Sequence, residues 1–175
     1  MCSCTFENGE FVFKIAEKES ETECFKGSKY VKSNPNGIYK KVEAYLKNGT
    51  KVLFIGLPCQ VAGVKNFINK SLSDKLYTID LICHGTPSVK LLNQYLKQYH
   101  LNLEDISKID FRNNNTFNLQ INNKPIINSR TQDLYTYTFL TSLIYTENCY
   151  SCKYATVERV GDITIGDSWG SDLDK

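Results

Sequence analysis

The sequence predicts an α/β fold: a mixed, largely parallel sheet with flanking helices plus a small hairpin, in a single domain. Residues 51–57 and 76–82 are almost continuous apolar runs, which are typical of buried parallel strands. A cysteine follows each run, and helical patterns come next, at 61–69 and 88–100. This order predicts two strand-helix units with neighbouring parallel strands. A chain of 175 residues is also long enough to bury one core of ordinary size.

The first fifty residues predict one strand and one helix. Phe11, Phe13 and Ile15 alternate with other residues after an Asn-Gly turn, so we expect a strand at the edge of the sheet. Residues 17–24 are charged and lack a periodic pattern, which favours a loop. Residues 38–48 carry apolar side chains at helical spacing and end before Gly49, a residue that often follows a helix.

The second half continues the alternation with weaker signals. We expect a strand at 105–111, two hairpin strands within 117–129, and an amphipathic helix of about twelve residues that begins at Leu134 and leads to Cys149. The run at 156–167 has the alternation of a strand. No linker divides the chain, so we expect residues 1–175 to form one domain.

Composition excludes several classes of protein. The 21 Lys and Arg residues are interspersed with 19 Asp and Glu residues and give a formal charge of +2, so no basic stripe marks a nucleic-acid-binding surface. No apolar run reaches the length of a membrane span, and the N-terminus lacks the pattern of a signal peptide. We therefore expect a cytoplasmic protein. Seven cysteines in a reducing compartment indicate ligands or redox groups rather than disulfides.

Four of the cysteines are candidates for one metal or cluster site. Cys59 and Cys83 follow the two buried strands, and the carboxyl ends of parallel strands meet at the same sheet edge. Cys149 and Cys152 form a CxxC, which by spacing alone fits a redox dithiol, half of a zinc site or half of an iron-sulfur site. A second CxxC for a zinc ribbon is missing. Two thiols from a CxxC and two from distant loops can bind the corners of one iron-sulfur cluster.

Five sequence blocks resemble the coenzyme F420 hydrogenase/dehydrogenase beta-subunit family, in particular its bacterial members with a ferredoxin-like front end. The blocks occur in the family's order from residue 26 to residue 170: GSKYVKS, VLFIGLPCQVAGVKNF, IDLICHGTPS, IDFR and CYSCKYATVERVGDITIGDSWG. On this resemblance the chain corresponds to the core of the beta subunit, without the N-terminal ferredoxin-like part. It implies a redox subunit, an oxidoreductase that binds a 4Fe-4S cluster and FAD. Electrons would pass between a ferredoxin-like or hydrogenase/dehydrogenase partner and a deazaflavin, flavin or similar small-molecule acceptor.

The resemblance also assigns residues to roles. It implies that Cys59, Cys83, Cys149 and Cys152 ligate the cluster. We expect Arg159 and Asp167 to pair or contact a ring, and Trp169 either to cap the site or to pack in the core. Two alternatives stay open: a structural zinc-binding module, and a non-catalytic interaction subunit that has lost its redox centre. The residues expected to contact the flavin or the cluster sulfurs are Ser28, Lys29, Tyr30, Gly56, Gly85 and Asp167.

Overall fold

The computed structural model describes residues 1–35, 37–113, 116–128 and 131–167, so Trp169 lies outside the described residues. The strands are β1 Cys2–Glu7, β2 Glu10–Ile15, β3 Val52–Gly56, β4 Leu76–Leu81, β5 Ile109–Asp110, β6 Gln120–Ile121, β7 Lys124–Pro125 and β8 Ile163–Ile165. Five of them form a sheet with the order β2-β1-β3-β4-β8, in which only the β1–β2 pair is antiparallel. The short strands β5, β6 and β7 form a second, antiparallel sheet. The predicted mixed, largely parallel α/β fold is therefore confirmed.

The N-terminal hairpin adds a strand that the sequence reasoning missed. β1 is a short run at the N-terminus that contains one large apolar residue, Phe6, yet it lies inside the sheet because it pairs with both β2 and β3. Asn8 and Gly9 both have positive φ angles, 51° and 77°, as a tight Asn-Gly hairpin turn requires. β2 lies at the edge of the sheet, as its alternation predicted.

Two parallel strands at the centre of the sheet carry the predicted cysteine units. β3 and β4 are direct neighbours, with Gly56 opposite Asp80, and both end at the same edge. In the part of the chain that the structure describes, the helices are α1 Ile38–Lys47, α2 Pro58–Phe67, α3 Val89–Lys97, α4 Leu134–Leu140 and α5 Glu147–Tyr150. α1 and α2 pack against β3. Among the described residues, no helix is long and apolar enough to cross a membrane.

Two expectations need correction in the second half of the chain. The strand expected at 105–111 is only Ile109–Asp110, and it belongs to the small sheet, after a 3-10 turn at Leu103–Asp105. The helix expected to have about twelve residues ends at Leu140. Ser142 adopts a positive φ of 64°, and the backbone N–H of Leu143 donates to the Thr138 carbonyl oxygen at 2.8 Å, which closes the helix in a Schellman motif.

The 17–24 segment also differs from the expected loop, because Glu19–Phe25 forms a 3-10 helix.

The apolar interior of the described residues consists of two buried clusters. One contains Phe54 of β3 with Val42 and Val61 from α1 and α2. The other contains Leu92 and Leu96 of α3 with residues of the small sheet and α4. These clusters fix the helices that follow β3 and β4, and so hold the first residues after each strand in place.

Candidate functional site

The carboxyl edge of the central strands opens into a cavity of about 510 Å³. Cys59, Cys83, Cys149 and Cys152 all line this space, which we call the thiol cavity. Three separate segments of the chain therefore bring their cysteines together, although residue 59 and residue 152 are far apart in sequence. All four side chains are free thiols. That they ligate one cluster remains a prediction.

Cys59 occupies the second position of α2, directly after Pro58. Proline suits the first helical position. The first turn of α2 faces the thiol cavity, since Pro58, Cys59 and Gln60 all line it. The neighbouring Gln60 is buried: its side-chain oxygen accepts from the Leu57 N–H at 2.9 Å, and its amide donates to Ser33 Oγ at 2.9 Å. Gln60 thus ties the end of β3 to the 33 loop and fixes the direction of Cys59.

Two threonine hydroxyls contact the thiol of Cys149. Thr146 Oγ1 lies 3.2 Å from Cys149 Sγ, and the buried Thr86 Oγ1 lies 3.8 Å from it. Burial acts to raise the pKa of the Cys149 thiol. Hydrogen bonds from Thr146 and Thr86, together with the charge of Lys32, outweigh burial and lower that pKa. Cys149 therefore forms a thiolate more readily than an ordinary cysteine, and the thiolate is the form that binds metal.

The pKa values of the two cysteines that follow β3 and β4, Cys59 and Cys83, shift in the opposite direction. Cys59 as a whole residue is exposed, but partial burial of its thiol raises its pKa, and thiolates at Cys152 and Cys149 raise it further. Burial also raises the pKa of Cys83, against a hydrogen bond from the Gly85 backbone and with additional repulsion from the other three cysteines. When they are ionised, thiolates at these positions therefore repel one another. A cation that neutralises several thiolates at once would remove that repulsion.

The cysteines are not arranged around a single ion. Among the described residues, no group of three or more His, Cys, Asp or Glu side chains could hold one metal ion. Thiolates around one tetrahedral zinc lie about 3.8 Å apart, given a Zn–S bond of about 2.3 Å. Ligands of a 4Fe-4S cluster bind different irons and lie roughly 6 to 7 Å apart. A cluster therefore does not require its cysteines to lie as close together as the ligands of one zinc ion.

A second cavity of about 380 Å³, the aromatic cavity, adjoins the first. Ser28, Lys29, Tyr30, Gly85 and Asp167, which the sequence assigned to cofactor contact, all line it. The Tyr30 ring stacks on Phe139 with a centroid distance of 4.6 Å and an angle of 18°. Flat rings and backbone therefore surround a space of the size that small ligands occupy.

Gly56 is the one cofactor-contact residue of the sequence prediction that lines neither cavity. A Cβ atom there would lie 3.1 Å from the Phe54 ring and 3.2 Å from Gln60 Oε1, so Gly56 permits close packing behind the site. The amide that follows it, Leu57 N–H, already donates to Gln60 Oε1.

Charged groups of the aromatic cavity are engaged in contacts within the protein. Lys29 Nζ donates to the carbonyl oxygens of residues 25, 26 and 27 at 3.0 to 3.1 Å. Burial lowers the pKa of Lys29. Asp167 pairs with Arg112 at 2.8 Å, and so closes the side of the cavity. Its partner is therefore Arg112, whereas Arg159 pairs with Asp80.

The segment Cys83–Thr86 forms a wall shared by both cavities. His84 stands in this wall: Nδ1 is hydrogen-bonded to the Tyr145 hydroxyl, and its ring lies 4.9 Å from the Phe139 ring. Burial lowers the pKa of His84. Gly85 has a φ of 137°, and a Cβ atom there would clash with the Tyr145 ring. The wall therefore packs directly on an aromatic ring at Gly85.

We expect Gly85→Ala to destabilise the folded protein by about 3 kcal/mol, because strain and a steric clash act together. For a domain of this size the loss corresponds to roughly 6 to 12 °C in Tm. Gly49→Ala is the matched control, because Gly49 also has a positive φ of 85° but nothing within 4 Å of an added Cβ. That control should cost only about 1 to 2 kcal/mol. Equal losses in thermal unfolding would show that Tyr145 does not pack on Gly85.

A buried carboxylate that sequence reasoning did not select holds the segment after the CxxC. Asp80 is completely buried at the end of β4 and accepts hydrogen bonds from Thr164 Oγ1 at 2.5 Å and from the Val160 and Gly161 N–H groups at 3.2 Å. Arg159 Nη2 lies 3.3 Å from Asp80 Oδ2. The signal was a lone acidic residue in the apolar run LYTIDLI.

Together these features define a class: an α/β protein with cysteines converging at the carboxyl edge of its sheet, next to an aromatic ligand cavity. A family model that describes the C terminus of the coenzyme F420 hydrogenase/dehydrogenase beta subunit matches residues 49–174. The chain belongs to this family.

A solved structure has the same fold. The chain is similar to a chain of the F420-reducing NiFe hydrogenase complex from Methanosarcina barkeri, studied by xenon derivatization, with a TM-score of 0.61 and 16% identity. The match covers 95% of this chain and 57% of the hydrogenase chain. This chain therefore spans little more than half the length of that relative. A search of curated proteins gave no match.

Proposed function

We propose that this protein is a redox subunit that binds one 4Fe-4S cluster and transfers electrons to or from a flavin-type ring. Cys59, Cys83, Cys149 and Cys152 would be the cluster ligands. The observation that carries the proposal is their convergence on one cavity that shares the wall Cys83–Thr86 with a second, aromatic cavity. The cluster would supply one-electron transfer, and the protein would hold and orient it.

The charge around the thiol cavity suits a cluster with four thiolates, which is anionic. Lys32 and Lys153 line the cavity, and its described lining residues include no carboxylate. The N-terminus of α2 adds partial positive charge at Cys59. Lys32 donates to Asn148 Oδ1 at 3.3 Å, which keeps its ammonium beside the CxxC. The donor set and the electrostatics therefore both fit the cluster.

The aromatic cavity fits the ring end of FAD or of a deazaflavin better than it fits a diphosphate. Its stacked Tyr30 and Phe139 rings and its backbone suit a flat ring. Lys29 is the cation among the described lining residues, and three carbonyl oxygens already accept from its ammonium. We infer that the rest of a dinucleotide, if FAD binds, lies outside this cavity.

The partner and the acceptor follow from the same arrangement. The similar hydrogenase chain is part of a complex that reduces F420. We infer that a ferredoxin-like or hydrogenase/dehydrogenase partner exchanges electrons with the thiol cavity and that a deazaflavin, flavin or related acceptor uses the aromatic cavity. The shared wall Cys83–Thr86 would keep the two redox centres near each other.

Anaerobic preparation tests the proposal. Protein purified without oxygen and reconstituted with iron and sulfide is expected to hold about four irons and four sulfides per chain and to absorb broadly in the visible region. Bound flavin would add its own separate bands. Colourless protein that contains zinc and loses stability with a chelator would replace the proposal with the zinc module. Protein without iron, zinc or flavin would support the interaction subunit.

A further inference from the structure

We propose that Thr146 and Thr86 are positioning residues that raise the reduction potential of the cluster by donating their hydroxyl hydrogen bonds to Cys149 Sγ. This inference rests on the proposed function, because it assigns a role to two residues around one ligand of the proposed cluster. Neither threonine was among the predicted site residues.

The geometry of Thr146 is unusual for its position. It is the N-cap residue of α5, where a threonine hydroxyl normally accepts a hydrogen bond from a backbone N–H of the first turn. Here the hydroxyl makes no such capping bond and lies 3.2 Å from Cys149 Sγ. The backbone instead closes the turn, since Cys149 N–H donates to the Thr146 carbonyl oxygen at 2.8 Å. The hydroxyl is therefore directed to the thiol.

Thr86 approaches the same sulfur from the wall between the cavities. Its side chain is 6% exposed, so water cannot readily replace the contact of its hydroxyl with Cys149 Sγ at 3.8 Å. The Thr86 carbonyl oxygen accepts from Thr146 N–H at 2.9 Å. This backbone bond joins the two threonines and holds both hydroxyls on one sulfur.

The direction of the effect follows from charge. A thiolate sulfur has no proton to give, so each hydroxyl must be the donor when Cys149 binds iron. Reduction adds an electron, and part of the added negative charge resides on the ligand sulfurs. Hydrogen bonds to those sulfurs therefore favour the reduced cluster and raise its potential. Cys83 instead interacts with the Gly85 backbone, which a side-chain substitution leaves in place.

The test is a redox titration of the reconstituted protein, followed by the spectrum of the reduced cluster. Thr146→Val is expected to shift the reduction equilibrium toward the oxidised cluster by up to tenfold, which is about 59 mV for one electron. Thr146→Ser keeps the hydroxyl and should restore most of the potential. Thr86→Val should produce a smaller shift in the same direction, because its contact is longer. Thr141→Val is the control, since that exposed hydroxyl contacts only carbonyl oxygens of α4.

Each result decides the question. A lower potential in the valine variants, with recovery in Thr146→Ser and no change in Thr141→Val, supports the inference. If Thr146→Val does not assemble a cluster, the potential of Thr86→Val decides, and an unchanged value overturns the inference. Wild-type potential in Thr146→Val with an intact cluster also overturns it, while the proposed function stands. A wild-type protein that binds no iron overturns both.

Discussion

Serine in place of Cys152 is expected to lower the iron and sulfide content of the reconstituted protein at least tenfold. The reason is that one corner iron of the cluster would lose its thiolate. Serine at Cys59, Cys83 or Cys149 should have the same effect, because each cysteine lines the thiol cavity. Iron and sulfide analysis after anaerobic reconstitution and gel filtration measures the result, and the visible absorption should fall in proportion.

The expected loss is specific to the cluster. Cys59 is exposed and the other three cavity cysteines are partly buried, so replacing one thiol by a hydroxyl should change the free energy of unfolding of the iron-free protein by less than about 1 kcal/mol. Cys24→Ser is the matched control: this thiol is exposed, lies outside the cavity and should be dispensable for iron binding. Full iron content in Cys59→Ser, or iron loss in Cys24→Ser, would contradict the assigned ligand set.

The strands that carry the site could be predicted because their signals are local. The runs at 51–57 and 76–82 are almost continuously apolar and a cysteine follows each, so their burial, direction and neighbouring positions followed from general rules of α/β folds. The same reasoning placed Cys59 and Cys83 at one edge. Their meeting with Cys149 and Cys152 was a hypothesis from iron-sulfur chemistry that the family resemblance strengthened, because spacing alone does not determine where a distant CxxC packs.

Other parts of the site were invisible in the sequence because their roles come from long-range contacts. Thr86 and Thr146 are ordinary threonines until the fold brings both to one sulfur. No strand was predicted at β1, yet pairing on both sides places it within the sheet. The strand expected at 105–111 had suitable residues, but it found partners only in the small sheet. Tertiary pairing decided these cases against weak local preference.

Asp80→Asn is expected to destabilise the folded protein by about 3 to 5 kcal/mol, which is the usual cost of breaking a buried charged pair by removing one partner. The amide would leave the Arg159 guanidinium without its carboxylate. The amide also has one acceptor oxygen where the carboxylate has two, so either Thr164 Oγ1 or the Val160 and Gly161 N–H groups would lose their acceptor. Thermal unfolding of the iron-free protein should show a decrease in Tm of roughly 6 to 20 °C. The segment that follows the CxxC should become more accessible to protease.

The pH dependence of stability provides a second measurement on the same residue. Burial acts to raise the pKa of Asp80, but hydrogen bonds from Thr164, Gly161 and Val160 and the charge of Arg159 outweigh it and lower the pKa. The ordinary aspartate pKa is about 3.9, so the stabilisation by Asp80 is fully present above that pH. It is lost as the pH falls through the lower pKa of the folded state. Wild-type protein should therefore lose its advantage over Asp80→Asn in acid.

A surface ion pair gives the control for this substitution. Glu43 pairs with Lys47 across one turn of α1 at 2.8 Å, and Glu43→Gln makes the same chemical change in a solvated pair. Such pairs contribute about 0.3 to 0.5 kcal/mol, so the control should unfold almost like wild type. If Asp80→Asn were equally mild, Asp80 would not hold the 159–164 segment. The position of the CxxC beside Cys59 and Cys83 would then depend on α5 and the two threonines instead.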